Sequence, residues 1–277
     1  MANRLLREIP ISGIVVDLGR RQTLASSIKR ALRRYTLTQL CGRLVLFILR
    51  WIFAERARRA TRLRNILGVD SVHITRPELV QRVHGINTDA GVQTVAELNP
   101  DLLLVFGTSI VGPRVTSLAR RCALNAHTGI SPYYRGADCA FWPVHNLDLH
   151  MLGATVHECT AAIDGGRMFA TGRVQLEEND CLTSVFARCV MVAADLYASV
   201  VRQLQDRTLH SEAQNLTLGR EYKASDRGLC AEIRARYLVM SGVIRRHVAA
   251  QRNQRALHPH RTRVVPRHAQ PYRRTSR

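Results

Sequence analysis

The chain has 277 residues, which suits one large α/β domain or one domain with an appendage. Its 46% hydrophobic content is enough to bury a core and excludes a wholly disordered chain. The net charge of +20 comes from two segments: residues 20–64 hold 13 Arg or Lys against one acid, and residues 251–277 hold eight Arg and no acid. No nucleic-acid-binding motif accompanies them, so a dedicated nucleic-acid surface is the less favoured interpretation.

Seven cysteines are scattered along the chain without a C-x-x-C pair, which argues against a disulfide scaffold or a zinc knuckle. This pattern favours a reducing cytoplasm and predicts no metal site. The N-terminal residues Met1–Pro10 lack the apolar run of a secretory signal. The most apolar stretch, Leu44–Ala54, is well short of the ~20 residues that cross a bilayer, so no transmembrane segment is expected.

The first predicted element is a buried strand at Ile11–Asp17, a short β-branched run that ends in a turn. Residues 20 to about 67 contain no proline and are rich in Leu, Arg and Ala, which predicts one or two basic helices. A weak strand is predicted at Val72–Thr75. The stretch Glu78–Leu98 predicts a loop followed by a helix.

The clearest strand is Asp101–Phe106, whose unbroken apolar run indicates burial on both faces, as in a parallel sheet covered by helices. Strand and helix patterns continue to alternate after it, which predicts an α/β fold with a doubly wound, mostly parallel open sheet. The later predicted elements are a helix at 113–121, strands beginning at Cys122–Asn125 and at Gly153–His157 and Arg167–Thr171, a long helix at Leu182–Leu204, a polar loop at His210–Leu218 and a helix at Asp226–Gln251.

Three polar residues, Asn125, His127 and Asp164, follow predicted strands, where open α/β sheets bind their ligands. Asn125 and His127 are two residues apart, so on an extended backbone their side chains leave on the same side. A carboxylate beside such a histidine favours its protonated form, and an amide can donate to a developing oxyanion. These groups suit the chemistry of acyl transfer. Spacing alone does not identify the functional histidine, because five others are also candidates: His73, His84, His145, His150 and His157.

A longer ordered pattern surrounds these residues: Asn125-Ala-His127, Pro132-Tyr-Tyr-Arg-Gly136, Trp142, Gly153-Ala-Thr-Val-His157 and Asp164-Gly-Gly166. It closely resembles the signature of the folate-dependent formyltransferases, which include the glycinamide ribonucleotide, methionyl-tRNA and sugar N-formyltransferases. The resemblance covers roughly residues 84–204 and implies a formyltransferase-like variant of the Rossmann fold. It also implies transfer of a formyl group from 10-formyltetrahydrofolate to a primary amine, which is either a small molecule or linked to tRNA.

By this resemblance, His127 would accept a proton from the attacking amine, Asp164 would orient and charge-stabilise His127, and Asn125 would hydrogen-bond the oxyanion. The pterin would lie against two loops. The residues implied in these loops are Phe106, Gly107, Thr108, Ser109, Ile110, Ala162 and Ile163.

Structural roles are favoured for the other motif residues. His157 is expected to satisfy a buried hydrogen bond, Pro132–Gly136 to fix a loop and Trp142 to fill the core. A role for Arg135 near an acidic group of the substrate or cofactor stays open.

Resemblance and composition together predict three parts: a formyltransferase-like catalytic domain at 1–206 with a basic helical insertion at about 20–67, a helical extension at 207–254 and, from its repeated His, Pro and Arg, an Arg-rich disordered tail at 255–277. The family begins with a central strand and a glycine turn before the element matched by Ile11–Asp17. Ten residues are too few for them, so the first strand is expected to be missing.

Two alternatives to transfer stay open. The same three residues could activate water and hydrolyse 10-formyltetrahydrofolate, although some hydrolases of the family carry an N-terminal regulatory domain that is not seen here. The chain could instead be a non-catalytic module that binds RNA or an anionic membrane through its Arg-rich segments.

Overall fold

The computed structural model describes residues 1–19, 35–52, 55–68 and 73–257. The helices in this part of the chain are α1 (Ala2–Glu8), α2 (Leu37–Ile52), α3 (Glu55–Leu67), α4 (Asp89–Glu97), α5 (Pro113–Thr116), α6 (Trp142–His145), α7 (Leu182–Gln205), α8 (Leu229–Met240) and α9 (Val243–Leu257). The strands are β1 (Ile14–Asp17), β2 (Val80–Val83), β3 (Leu102–Val105), β4 (Cys122–His127), β5 (Tyr134–Gly136), β6 (Gly153–Glu158), β7 (Met168–Arg173) and β8 (Arg220–Tyr222).

These strands form three open sheets. The largest has the order β3-β4-β6-β7, in which β3 and β4 are parallel while β6 runs antiparallel to both of its neighbours. Strands β1 and β2 form a parallel pair, and so do β5 and β8. Three of the five pairings between described strands are therefore parallel, which confirms the predicted α/β class with a mostly parallel open sheet. The reversed direction of β6 matters for the site described below.

Helix α7 packs across the largest sheet and positions the strands that carry the candidate site. Leu124 of β4, Val156 of β6 and Tyr197 of α7 are all fully buried in the same apolar cluster. The Tyr197 hydroxyl lies within hydrogen-bond distance of two strand carbonyls, that of Val105 and, at 3.0 Å, that of Leu124. It therefore ties the helix to β3 and β4 directly beside Asn125.

Replacing Tyr197 by phenylalanine removes that hydroxyl from the interior. We expect the free energy of unfolding, measured by urea titration, to fall by about 1–2 kcal/mol, the cost of a lost buried hydrogen bond. Tyr237→Phe is a matched control because Tyr237 is 68% exposed, and it should change stability by less than about 0.5 kcal/mol. Equal effects of the two substitutions would contradict the role given to Tyr197.

Helix α7 is also the one described helix that is long and apolar enough to cross a membrane by length and composition. Most of its apolar window is buried inside the protein, as expected for a core helix. It matches the helix predicted at Leu182–Leu204 to within one residue.

The first third of the chain departs from the sequence prediction at β2. The partner of β1 is Val80–Val83, a stretch that the sequence pattern assigned to a loop. Its two valines enclose two polar residues, so the strand shows neither strict alternation nor a continuous apolar run. The strand predicted at Val72–Thr75 lies partly outside the described residues, and His73–Thr75 do not form a strand.

Two predicted helices were too long. The helix predicted at 113–121 ends at Thr116, because the chain then turns back along β3: the N–H groups of Arg120 and Arg121 bond the carbonyls of Pro100 and Asp101. The helix predicted at Asp226–Gln251 is two helices, α8 and α9. Between them Gly242 adopts a φ of +81°, a left-handed conformation that glycine accommodates readily.

The basic insertion predicted at about 20–67 corresponds in its described part to α2 and α3, while residues 20–34 lie outside the described residues. Residues 258–277 of the predicted tail also lie outside them, and residues 255–257 belong to α9. Residues 1–13, all described, contain α1 and no strand.

Candidate active site

Strand β4 and the loop at 159–166 that follows β6 bring the three predicted site residues together. Asn125 and His127 both lie near the end of β4, and Asp164 lies in the loop. The Asp164 Oδ2 atom is 3.3 Å from Nδ1 of His127. The Asn125 amide donates from Nδ2 to Oδ1 of the same carboxylate at 3.2 Å. An amide, an imidazole and a carboxylate thus form one cluster.

The Asp164 carboxylate is the centre of this cluster and has two further partners. The Gly136 N–H at the end of β5 donates to Oδ2 at 2.8 Å, and Nε2 of His157 lies 3.2 Å from Oδ1. Only 11% of the Asp164 side chain is exposed, so these contacts replace most of its hydration. The carboxylate therefore bridges two histidines that lie on different strands.

His157 is the site residue that sequence reasoning left outside the cluster. It does satisfy a buried hydrogen bond, since Nδ1 lies 2.9 Å from the Glu158 carbonyl oxygen, but its other nitrogen faces Asp164. The antiparallel register of β4 and β6 places His157 directly opposite Asn125. No local sequence signal indicates this register, because it depends on the long-range pairing of the two strands.

The partners of Asp164 decide its protonation state. Burial acts to raise the pKa of Asp164, but the hydrogen bond from His157, the electrostatic interaction with His127 and the Gly136 N–H outweigh it and lower the pKa to about 2. The carboxylate is therefore ionised at neutral pH.

This lowered pKa predicts an acid-dependent contribution to stability. The folded-state pKa of about 2 lies below the ordinary value of 3.8, so the contribution is fully present above pH 3.8 and is lost as the pH falls through 2. The difference in unfolding free energy between wild type and Asp164→Asn should narrow by about 2 kcal/mol from pH 6 to pH 2. Urea titrations at both pH values measure it, and a gap that does not change with pH would contradict the assigned contacts.

His127 is buried, and both of its ring nitrogens face protein oxygen atoms. Burial lowers the pKa of His127, and Asp164 and the carbonyl of Tyr134 act in the opposite direction, so the resting ring is neutral at neutral pH. Its Nε2 lies 3.0 Å from the Tyr134 carbonyl oxygen and its Nδ1 faces Asp164. Because each nitrogen faces an oxygen acceptor, a ring that gains a proton can hydrogen-bond through both N–H groups.

The chain leaves room for this ring only because residue 129 is glycine. A Cβ at Gly129 would lie 2.6 Å from Nε2 of His127 and 2.8 Å from the Tyr134 carbonyl oxygen, so any larger residue would displace the imidazole.

The loop predicted to contact the pterin, Phe106–Ile110, leaves β3 beside the cluster, since Val105 pairs with Asn125. It is held by polar contacts: Ser109 Oγ donates to Asp17 Oδ2 at 2.8 Å, and Asn87 Nδ2 donates to the Ile110 carbonyl at 2.7 Å.

Phe106 is half-buried, whereas the other six residues predicted to contact the pterin, Gly107–Ile110, Ala162 and Ile163, are exposed. Ile110 and Ile163 in particular are 76% and 41% exposed. Such exposed apolar side chains suit contact with an aromatic ring.

Two of the remaining motif residues have structural contacts. Trp142 is buried and stacks on Tyr222, which confirms its expected place in the core. Arg135 is 9% exposed and donates to the carbonyls of Pro132 at 3.3 Å and Leu216 at 3.4 Å. In the described part of the chain Arg135 forms no ion pair. Its contacts connect the loop at Pro132 to the segment at Leu216.

A family model described as formyl transferase matches residues 54–201, slightly more than half of the chain. The methionyl-tRNA formyltransferase of Treponema pallidum (strain Nichols) is 32% identical over 122 residues, which cover 44% of this chain and 38% of that protein. The methionyl-tRNA formyltransferase of Agathobacter rectalis is 27% identical over 132 residues, covering 47% and 42%. The chain therefore spans less than half the length of these curated relatives.

Solved structures of similar proteins have low sequence identity to the chain. A sugar N-formyltransferase from a Shewanella species matches with a TM-score of 0.44 and 19% identity, over 53% of this chain and 57% of that one. A formyltransferase from Anoxybacillus kamchatkensis, in complex with a UDP-linked formamido sugar and tetrahydrofolate, matches with a TM-score of 0.43 and 20% identity. The match covers 59% of this chain and 81% of that one. The family model matches more than half of the sequence, and this match establishes the family. The chain belongs to the folate-dependent formyltransferase family.

Proposed function

We propose that the protein transfers a formyl group from 10-formyltetrahydrofolate to a primary amine, an activity of one-carbon metabolism. The observation that carries this proposal is the contact of His127 and Asn125 with a single ionised carboxylate, that of Asp164. Family membership supports the reaction class, and the cluster supplies a proton acceptor, a counter-charge and an amide donor for it.

Each group has one role in the proposed reaction. The amine nitrogen attacks the formyl carbon, and the side-chain amide of Asn125, whose Nδ2 lies 3.2 Å from both Asp164 Oδ1 and His157 Nε2, donates to the oxyanion that forms. His127 takes the proton that the amine loses, and Asp164 stabilises the resulting imidazolium. The bond between the formyl carbon and N10 of the folate then breaks, and His127 returns the proton to N10. One C–N bond forms and one breaks, so the reaction needs no further reactant.

The donor fits the two loops beside the cluster. Phe106–Ile110 and the pair Ala162–Ile163 would hold the pterin, with the exposed Ile110 and Ile163 contacting its flat ring. Tetrahydrofolate is bound in the similar structure from Anoxybacillus kamchatkensis. The related proteins are described as acting on methionyl-tRNA or on sugars, so the acceptor proposed here is an amine on tRNA or on a small molecule, in the cytoplasm.

The test is to incubate the purified full-length chain with 10-formyltetrahydrofolate and follow tetrahydrofolate formation with and without amines. Methionyl-tRNA and nucleotide-linked amino sugars are the first amines to supply. Turnover that requires an amine supports the proposal. Equal turnover without an amine would show that the site hydrolyses the donor, and no turnover under any condition would favour the non-catalytic module; either result overturns the proposal.

A further inference from the structure

A glutamine from outside the region matched by the family model holds the loop that carries Asp164. The side-chain amide of Gln214 donates from Nε2 to two carbonyl oxygens of this loop, that of Asp164 at 3.0 Å and that of Gly166 at 2.6 Å. The family match ends at residue 201, so Gln214 is not part of the matched pattern. One side chain thus bonds the loop on both sides of Gly165.

The conformation of the loop explains why such a support is useful. Asp164 has a φ of +48°, in the left-handed region that non-glycine residues adopt uncommonly and at an energetic cost. A Cβ at Gly166 would lie 2.0 Å from the Glu158 carbonyl oxygen, so the loop also packs tightly on the end of β6. A small shift of this backbone would carry the Asp164 carboxylate away from both histidines.

Gln214 is itself fixed by the segment that carries it, residues 210–222. On one side, Glu212 and Met168 exchange two backbone hydrogen bonds of 2.8 Å, and Arg167 donates to the Ser211 hydroxyl at 2.9 Å. On the other side, β8 pairs with β5, the strand whose Gly136 N–H bonds Asp164. The segment therefore contacts the sheet both before and after Gln214, and it supports Asp164 from two directions.

We infer that Gln214 is a positioning residue of the formyl-transfer site: it fixes the backbone of the 159–166 loop and acts through Asp164 without touching the reacting atoms. This inference rests on the proposed function for its catalytic consequence. The effect of Gln214 on the order of the loop can be measured whether or not the protein shows catalytic activity.

Two variants separate hydrogen bonding from packing. Gln214→Met keeps the length of the side chain and removes the donor, whereas Gln214→Lys keeps a hydrogen-bond donor on a longer side chain. Gln203→Met is the matched control, because Gln203 donates to Ser199 within α7 and does not contact the loop. The readouts are kcat, thermal stability and the hydrogen-exchange rate of the Gly136 N–H, which bonds Asp164.

We expect Gln214→Met to lower kcat about tenfold to 100-fold, in the range for a misplaced catalytic group, and to speed Gly136 exchange about tenfold or more. Gln214→Lys should restore most of kcat and most of the slow Gly136 exchange of the wild type. Gln203→Met should change neither kcat nor the exchange rate. Unchanged Gly136 exchange in Gln214→Met, or equal losses in the Met and Lys variants, would overturn the inference. Absence of turnover in the wild type would instead count against the proposed function, while the exchange measurement would still decide the role of Gln214.

Discussion

Replacing His127 by alanine is expected to lower kcat by about 100-fold or more. The imidazole is the proton acceptor of the proposed reaction, and loss of a general base typically costs this much. Its charged form is the one that Asp164 and the Tyr134 carbonyl are placed to stabilise. Steady-state rates of tetrahydrofolate formation in the presence of an active amine measure the effect.

His150→Ala provides the control for His127→Ala. His150 also lies beside a carboxylate, that of Asp148, but 59% of its side chain is exposed. Its replacement should change kcat by less than about twofold. A His127→Ala variant that folds and retains the wild-type rate would exclude His127 as the base.

Replacing Asp164 by asparagine is expected to have an effect of similar size, a fall in kcat of about 100-fold or more. The substitution keeps the size of the side chain but removes the charge that opposes the effect of burial on the pKa of His127. The pKa of His127 therefore falls further, so the ring takes up a proton less readily. The imidazolium that forms during the reaction also loses its counter-charge.

Asp195→Asn is the matched control for this variant. Asp195 pairs with Arg4 at the surface, and half of its side chain is exposed. The substitution removes the same charge from a site far from the proposed chemistry, so kcat should be unchanged. Equal activity of the Asp164→Asn and Asp195→Asn variants would mean that the carboxylate in the cluster has no electrostatic role.

The site residues that the sequence predicts are those determined by local rules. Asn125 and His127 lie two apart on one strand, so their proximity follows from the geometry of an extended chain. Asp164 precedes two glycines in the loop that connects β6 to β7, and its carboxylate contacts His127 of β4. The longer motif pattern narrowed the choice among the histidines, and the structure places these three side chains in contact.

The place of His157 could not be predicted in the same way. It lies opposite Asn125 in the antiparallel register of β4 and β6, and both strand direction and register depend on long-range pairing. The residues of β6, Gly-Ala-Thr-Val-His-Glu, are mostly buried, and nothing in their pattern specifies the direction of the strand. The contacts of Gln214 could not be predicted either, because the local sequence around a polar loop residue does not indicate which backbone groups it will bond.

The short strands were missed for a related reason. Strands β2, β5 and β8 have three or four residues each, too few for alternation to be visible. Two other elements gave a stronger signal: the 24 residues of α7 show a continuous helical pattern, and β3, although it has only four residues, is an unbroken apolar run. The overall fold class could be predicted from these elements, whereas the pairings that complete the site depend on the short ones.

The most direct measurement of the central claim follows the formyl carbon itself. Donor labelled with ¹³C in the formyl group is incubated with the wild-type protein and an amine mixture of methionyl-tRNA and nucleotide-linked amino sugars, and the products are identified by mass spectrometry. We expect one labelled formamide for each tetrahydrofolate formed by the wild type, and almost no labelled formamide with the His127→Ala variant. Recovery of the label as formate, or equal labelling by both proteins, would contradict it.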